Sequence, residues 1–261
     1  METILFLFWG DILKKRYAFL LFTVISTILI FIIFKITLNN DIYYLALGDY
    51  LTVGNSYNSN SNKSYSDYIA DNLKDKEKLY FYTKGFANSN YRTIELLNDI
   101  KNNRRIKVNN KEITLKNALI KADIVTLSIG MNDLFYKINF STDFSDDYIL
   151  YKYVDEVISD MDKLLLELRT SCKEEIIVTS FYNPFINTNL FLSTEPIIEY
   201  ANSKLLYLLK KYDMKYFNIN KIFSANPNYL SYDLKLQPNN ASYYAIYKQI
   251  LKIINNKKLA K

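Results

Sequence analysis

Three short stretches carry the side chains that could do chemistry. In Tyr43–Gly54, YYLALGDYLTVG, an apolar run ends at Gly48-Asp49 and delivers Tyr50 to the tip of a turn. A phenol displayed there could act as a covalent nucleophile or as a face on which a ligand stacks. In Ser128–Phe135, SIGMNDLF, an apolar run again ends at a glycine, and Asn132 and Asp133 follow it. In Leu234–Tyr243, LKLQPNNASY, Lys235 is a candidate base if it is desolvated, and an ordinary solvated loop lysine if it is not. What is missing narrows the chemistry further. The chain has no histidine, which excludes Ser-His and Cys-His dyads, imidazole proton transfer and His-ligated metals. Cys172 is the sole cysteine, so neither an internal disulfide nor a Cys-based metal site can form. There is no G-x-G-x-x-G and no P-loop, hence no argument for a nucleotide. No metal and no cofactor is expected.

The elements that must position these stretches read as alternating strands and helices. Tyr43–Leu47, Leu79–Thr83, Asp123–Ser128, Glu175–Ser180 and Lys215–Asn218 are short apolar runs of strand type. Ser64–Leu73, Thr93–Asn103, Thr114–Lys121, Asp147–Arg169, Glu195–Tyr212 and Asn240–Asn255 have apolar residues at helical spacing. Near-continuous apolar strands separated by helices predict an α/β fold with a parallel sheet covered on both faces. Sites in such sheets form at the carboxyl ends of the strands, which is where Tyr50 and Asn132 fall. Lys101–Lys107, KNNRRIK, is the nearest approach to a basic cluster and reads as a solvated loop or helix end. With the net charge of +6 otherwise spread along the chain, no nucleic-acid surface is expected.

The N-terminal part has a different character. Ala18–Phe34 is an unbroken apolar run of 17 residues within the 261-residue chain. Extended to 17–38, it can span a bilayer if Lys35 snorkels. It is long for a signal-peptide core and no small-x-small cleavage site follows, so an uncleaved signal-anchor is expected. Lys14, Lys15 and Arg16 precede the span, which places residues 1–16 in the cytoplasm and the domain of residues 40–261 outside the cell membrane. Met1–Asp11 contains ILFLFW, a candidate interfacial segment.

The ordered blocks of residues 43–254 resemble the SGNH/GDSL hydrolases, a lipase and acylhydrolase family. Gly48-Asp49-Tyr50-Leu51 is similar to the first block, GDSL. GFANSNYRTIELL is similar to the second, SIGMNDLF to the third, and LKLQPNNASY to the last, with Pro238, Asn239 and Tyr243 retained. The resemblance implies a flavodoxin-like three-layer sandwich with a five-stranded parallel sheet. It also maps the site onto Asp49, Tyr50, Asn90, Asn132, Leu234 and Gln237. Tyr50 stands at the nucleophilic serine, Asn90 at the oxyanion-hole glycine, Asn132 at the oxyanion asparagine, Leu234 at the aspartate, Gln237 at the histidine and Ser242 at a glycine; Asp233 lies one residue off the aspartate position.

That mapping departs from the family where the chemistry lies. Glutamine is no base near neutral pH, and a phenol of pKa about 10 has no evident activator. Triad members act as a unit, so losing them together is the pattern of a retired active site. On this reading Tyr50 plugs a disused pocket, Asn132 and Asp133 hold their loop, and the nearby hydroxyls of Thr52, Ser56 and Ser89 are turn residues. The tyrosines of the last helix, Tyr243, Tyr244 and Tyr247, pack on the sheet, with residual sugar affinity as the sharper alternative. The chain is then expected to be an inactive, membrane-anchored pseudoenzyme that acts by binding or scaffolding at the cell surface, with an acylated lipid or a glycan as the ligand to expect. Two other readings stand beside it. One is an active esterase on lipid or cell-wall esters with a rearranged site. The other is a structural partner of a membrane protein, acting through the anchor.

Overall fold

The three central strands of the sheet, Ile42–Gly48, Ile124–Ser128 and Glu175–Thr179, have residues buried in both parities, which requires cover on both faces. The structure, a computed structural model, describes residues 15–31, 42–54, 63–138, 147–230 and 238–258. The chain divides into two compact units, residues 1–41 and 42–261. In the first, residues 15–31 form a helix, α1, whose apolar side chains are exposed. Thr23, Ser26 and Thr27 turn their hydroxyls back onto carbonyls of the preceding turn. Among the described residues no helix is long and apolar enough to cross a membrane. The span expected over 17–38 runs beyond residue 31 into residues outside that set, as do Met1–Asp11, Ser56, Asp233, Leu234, Lys235 and Gln237.

In the second unit the elements run β1 (Ile42–Gly48), α2 (Tyr50–Val53), α3 (Tyr65–Asp75), β2 (Leu79–Thr83), α4 (Thr93–Lys101), β3 (Arg105–Val108), β4 (Lys111–Thr114), α5 (Leu115–Lys121), β5 (Ile124–Ser128), α6 (Met131–Lys137), α7 (Asp147–Ser171), β6 (Glu175–Thr179), α8 (Phe191–Lys211), β7 (Lys215–Phe217), α9 (Asn220–Ala225) and α10 (Asn240–Lys258). The five-stranded sheet has the order β2-β1-β5-β6-β7, with every neighbouring pair parallel. Counted along the chain, that is the 2-1-3-4-5 order of flavodoxin-like folds, so the fold class expected from the sequence is the one observed. Every residue of β1 is buried. One helical group, α3 with α10, and another, α4, α5 and α8 around α7, supply the cover.

Local chemistry explains the element ends. Ser64 and Asp67 form a reciprocal capping box at the start of α3. Helix α8 begins at Phe191, a turn before the expected Glu195, and carries Pro196 within it. The basic stretch Lys101–Lys107 is not a plain loop: α4 ends at Lys101, and Arg105–Lys107 enter a small antiparallel hairpin of β3 and β4. Asn109 and Asn110 both take positive φ (49° and 61°), the conformation a tight two-residue hairpin turn needs. Arg105 and Glu112 pair across it at 2.7 Å.

Candidate functional site

Strand β1 ends in a close approach to its neighbour. Gly48 has φ +126°, and a Cβ on it would lie 1.8 Å from the Ser128 carbonyl oxygen. This proximity lets Asp49 N–H donate to the Ser128 carbonyl (2.9 Å) and Ser128 Oγ donate to Asp49 Oδ1 (2.9 Å). Asp49 also caps α2, with Oδ1 accepting the Leu51 N–H at 3.1 Å. Only 1 % of Asp49 is exposed, and Oδ2 has no hydrogen-bond partner among the described residues. Burial pushes its carboxyl up to about 7, against the smaller opposing pull of the bonds from Ser128 and Leu51.

Tyr50, the first residue of α2, is folded inward. It is 7 % exposed, and its hydroxyl sits 2.5 Å from that of Tyr182, just beyond the end of β6. Tyr182 packs edge-on against Phe223 of α9, with ring centroids 4.8 Å apart. Burial first, then the neighbouring Tyr182 phenol, drives the Tyr50 pKa well above its ordinary value. Thr52 is equally committed: its hydroxyl donates to the Leu47 carbonyl at 2.9 Å. Tyr65 and Tyr243 are buried nearby, and both phenols are pushed upward by desolvation.

The second half of the site joins the loop after β2 to α6. Gly130, with φ +104°, starts α6 where a Cβ would meet the Phe181 ring at 2.8 Å. Asn132 Nδ2 donates to the carbonyls of Ser89 (2.9 Å) and Tyr91 (2.8 Å), which engages both its amide hydrogens. Asp133, nearly buried, accepts from the N–H of Thr93 (2.9 Å) and from its hydroxyl (3.0 Å) at the start of α4. Burial raises the Asp133 pKa, partly offset by those bonds. Asn90 is exposed, and its N–H donates to Asn88 Oδ1 at 3.0 Å. Asn90 and Asn132 line one open groove of about 670 Å³ together with Asn88, Arg92 and Tyr136. Asp49 and Tyr50 do not line it; they are packed beneath the ends of β1 and β5.

Two features of the site carry no signal in the blocks of residues 43–54, 85–97, 128–135 and 234–243. Tyr182 is one. The other ties the loops after β6 and β7 to α8: Glu195 accepts from the side-chain amides of Asn183 and Asn220, both at 2.8 Å, and Asn220 Oδ1 accepts the Asn183 N–H at 2.8 Å. The rule that sites lie at strand carboxyl ends points to Phe181–Asn183 after β6, and that was the available clue. At the last block, Asn239 Oδ1 accepts the Ser242 N–H at 3.0 Å, opening α10, and Tyr243 is buried. Among the described residues no cluster of three acidic or cysteine side chains could hold a metal ion.

Comparison with solved structures returns esterases of the same fold. A lipase from a goat rumen metagenome superposes with a TM-score of 0.65 at 20 % identity, over 80 % of this chain and 95 % of that one. An acetylxylan esterase of Geobacillus stearothermophilus gives 0.57 at 16 % identity, over 80 % and 92 %. A psychrotrophic esterase from Pseudoalteromonas gives 0.55 at 13 % identity, over 84 % and 98 %. At these identities the likeness concerns the fold. No curated protein matches the chain in sequence. Residues 46–245, which hold every block from Gly48 to Tyr243, match the GDSL-like Lipase/Acylhydrolase family, and the chain belongs to that family.

Proposed function

We propose that this chain is a GDSL-family protein that has given up ester hydrolysis and acts by binding at the cell surface. The observation that carries the reading is the state of Tyr50. At the position where the family bears its nucleophile stands a phenol that is buried, bonded to a second phenol, and held in its protonated form by desolvation. A nucleophile needs a base and an approach path; among the described residues the Tyr50 hydroxyl bonds to another phenol, and its side chain is buried. Asn132 supports the same reading, because its amide hydrogens hold the 89–91 backbone rather than waiting for an oxyanion. The apolar segment of residues 17–38 anchors the domain. Lys14, Lys15 and Arg16 keep residues 1–16 in the cytoplasm and place the domain outside the membrane. Residues 1–16 and the anchor are also where a membrane-protein partner would act.

Ester hydrolysis tests this directly. The full chain in lipid nanodiscs, offered nitrophenyl acetate and butyrate, should show no turnover above the uncatalysed rate, and Tyr50→Phe should leave that unchanged. The combined variant Tyr50→Ser/Asn90→Gly/Leu234→Asp/Gln237→His, which rebuilds the family's constellation, should turn over. Native turnover abolished by Tyr50→Phe would make the phenol a participant and restore the active-esterase reading.

A further inference from the structure

Folding gathers positive charge that the linear run Lys101–Lys107 understates. Residues 99–121 hold seven basic and two acidic side chains, a net of +5 in a chain whose total is +6. The end of α4, the β3–β4 hairpin and α5 are tied together. The Leu115 N–H donates to the Arg104 carbonyl at 2.8 Å, and the Lys116 N–H donates to Asn103 Oδ1 at 3.0 Å. Both acids are engaged by arginines: Asp99 pairs with Arg104 at 3.0 Å and Glu112 with Arg105 at 2.7 Å. Lys101, Lys107, Lys111, Lys116 and Lys121 have no carboxylate partner among the described residues. All but Lys116 are exposed. Ile106 and Ile113 face each other across the hairpin and pack on the core, so strand alternation turns Lys107 outward. Nearer the groove the pattern reverses, with Lys84 paired to Asp67, Arg92 to Glu95 and Lys137 to Glu156.

The composition of this face selects its partner. Residues 99–121 include no aromatic side chain, so nucleic-acid bases have no platform to stack on. Both guanidinium groups are held by carboxylates, which removes bidentate reading of a phosphate or a base edge. What remains is a set of lysine point charges on flexible stems, suited to a diffuse anionic surface. Ile120, 69 % exposed beside Lys121 in the last turn of α5, adds an aliphatic side chain that a headgroup layer can take up. Position agrees. Asp123, two residues beyond Lys121, donates its N–H to the Tyr43 carbonyl at 3.0 Å and accepts the Tyr43 N–H at 2.8 Å. Tyr43 follows the apolar segment of residues 17–38 by five residues, no more than about 18 Å of extended chain. A bilayer holding that segment is thereby kept at high effective concentration beside the lysines.

We propose that the face made by the end of α4, the β3–β4 hairpin and α5 docks on anionic phospholipid headgroups of the membrane that carries the chain. This rests on the reading that residues 17–38 are the anchor. The test uses the full chain in nanodiscs of phosphatidylcholine, with or without phosphatidylglycerol, each containing a headgroup spin-labelled lipid. A fluorophore is attached at Asn117→Cys on α5 or at Gln249→Cys on α10, in the other helical group; Cys172 is buried and stays unlabelled. Quenching at residue 117 should be at least about threefold greater with phosphatidylglycerol, and the gain should vanish at about 0.5 M salt. Residue 249 should show no gain. Lys107→Glu/Lys111→Glu should abolish the gain, while Lys248→Glu/Lys252→Glu, the same charge change on α10, should leave it. Equal quenching in the two lipids, or equal losses from the two charge reversals, would overturn the proposal. Release of the label from phosphatidylglycerol discs by soluble polyphosphate at a lower charge concentration than the lipid would assign the face to a free polyanion and overturn it too. Elution with phosphatidylcholine discs reads the anchor separately. A chain that leaves those discs yet binds phosphatidylglycerol discs through the hairpin lysines would keep the docking face and defeat the anchor; one that leaves both would defeat both.

Discussion

Gly48→Ala should abolish cooperative folding or cost at least about 4 kcal/mol, measured as the loss of a urea unfolding transition. The new methyl carbon would sit 1.8 Å from the Ser128 carbonyl oxygen and 2.7 Å from its carbon. Both are backbone atoms of the strand that pairs with β1 at this position. No rotamer change can relieve that contact, and φ +126° is closed to residues with a Cβ. Relief would need β1 and β5 to separate at the point where Asp49 is delivered into the site. Gly85→Ala is the matched control. There the intruding atom is the Ile106 Cδ1 at 2.7 Å, the end of a side chain that can turn, so the cost should stay near 1 kcal/mol. Equal, small losses for both would show that the β1–β5 approach is not tight.

Asp49 should make the domain less stable as pH rises, and Asp49→Asn should remove that dependence. The carboxyl is raised from 3.8 to about 7 in the folded state. A raised carboxyl favours the folded form fully below the unfolded pKa, and that contribution is lost as pH climbs through the folded pKa. Of a total of about 4 kcal/mol, some 2 to 3 kcal/mol should vanish between pH 5 and pH 8. Asparagine keeps an oxygen for the Leu51 N–H and the Ser128 hydroxyl but cannot ionise. The variant should therefore overtake the native chain above pH 7 in urea titrations run at both pH values. Tyr50, Tyr65 and Tyr243 stay protonated throughout this window, because burial raises all three. Asp133, also raised, contributes in the same direction, which is why the difference between native and Asp49→Asn is the quantity to read. Parallel stability curves for the two would place the titration elsewhere.

The sheet was legible because burial on both faces leaves an unmistakable mark: Tyr43–Leu47 and Glu175–Ser180 are apolar without alternation. Edge strand β2, buried only at Thr83, was found at its observed bounds from its run of aromatic and β-branched residues, LYFYT. The β3–β4 hairpin escaped because its strands have four residues each, alternate with charges and turn on Asn-Asn, so nothing distinguishes them from a basic surface loop. Tyr50 was visible as a candidate, but its inward fold depends on Tyr182, which lies 132 residues away and makes no motif with it. Asn132 was likewise visible, and its commitment to the carbonyls of Ser89 and Tyr91 could be seen only once α6 and the loop after β2 were in place. Short-range pattern reveals which side chains are present at a strand end. Which of them are already bonded is set by the long-range packing.

The most direct measurement is intact-mass analysis of the full chain after exposure to a fluorophosphonate, because the reagent reports an activated hydroxyl whatever the preferred ester. With Tyr50 buried against Tyr182, and Thr52 bonded to the Leu47 carbonyl, the chain should emerge unmodified under conditions that label an active serine esterase to completion. A single stoichiometric adduct mapping to Tyr50, Thr52 or Ser89 would mean that the site holds a working nucleophile, and the retired-enzyme account would be wrong.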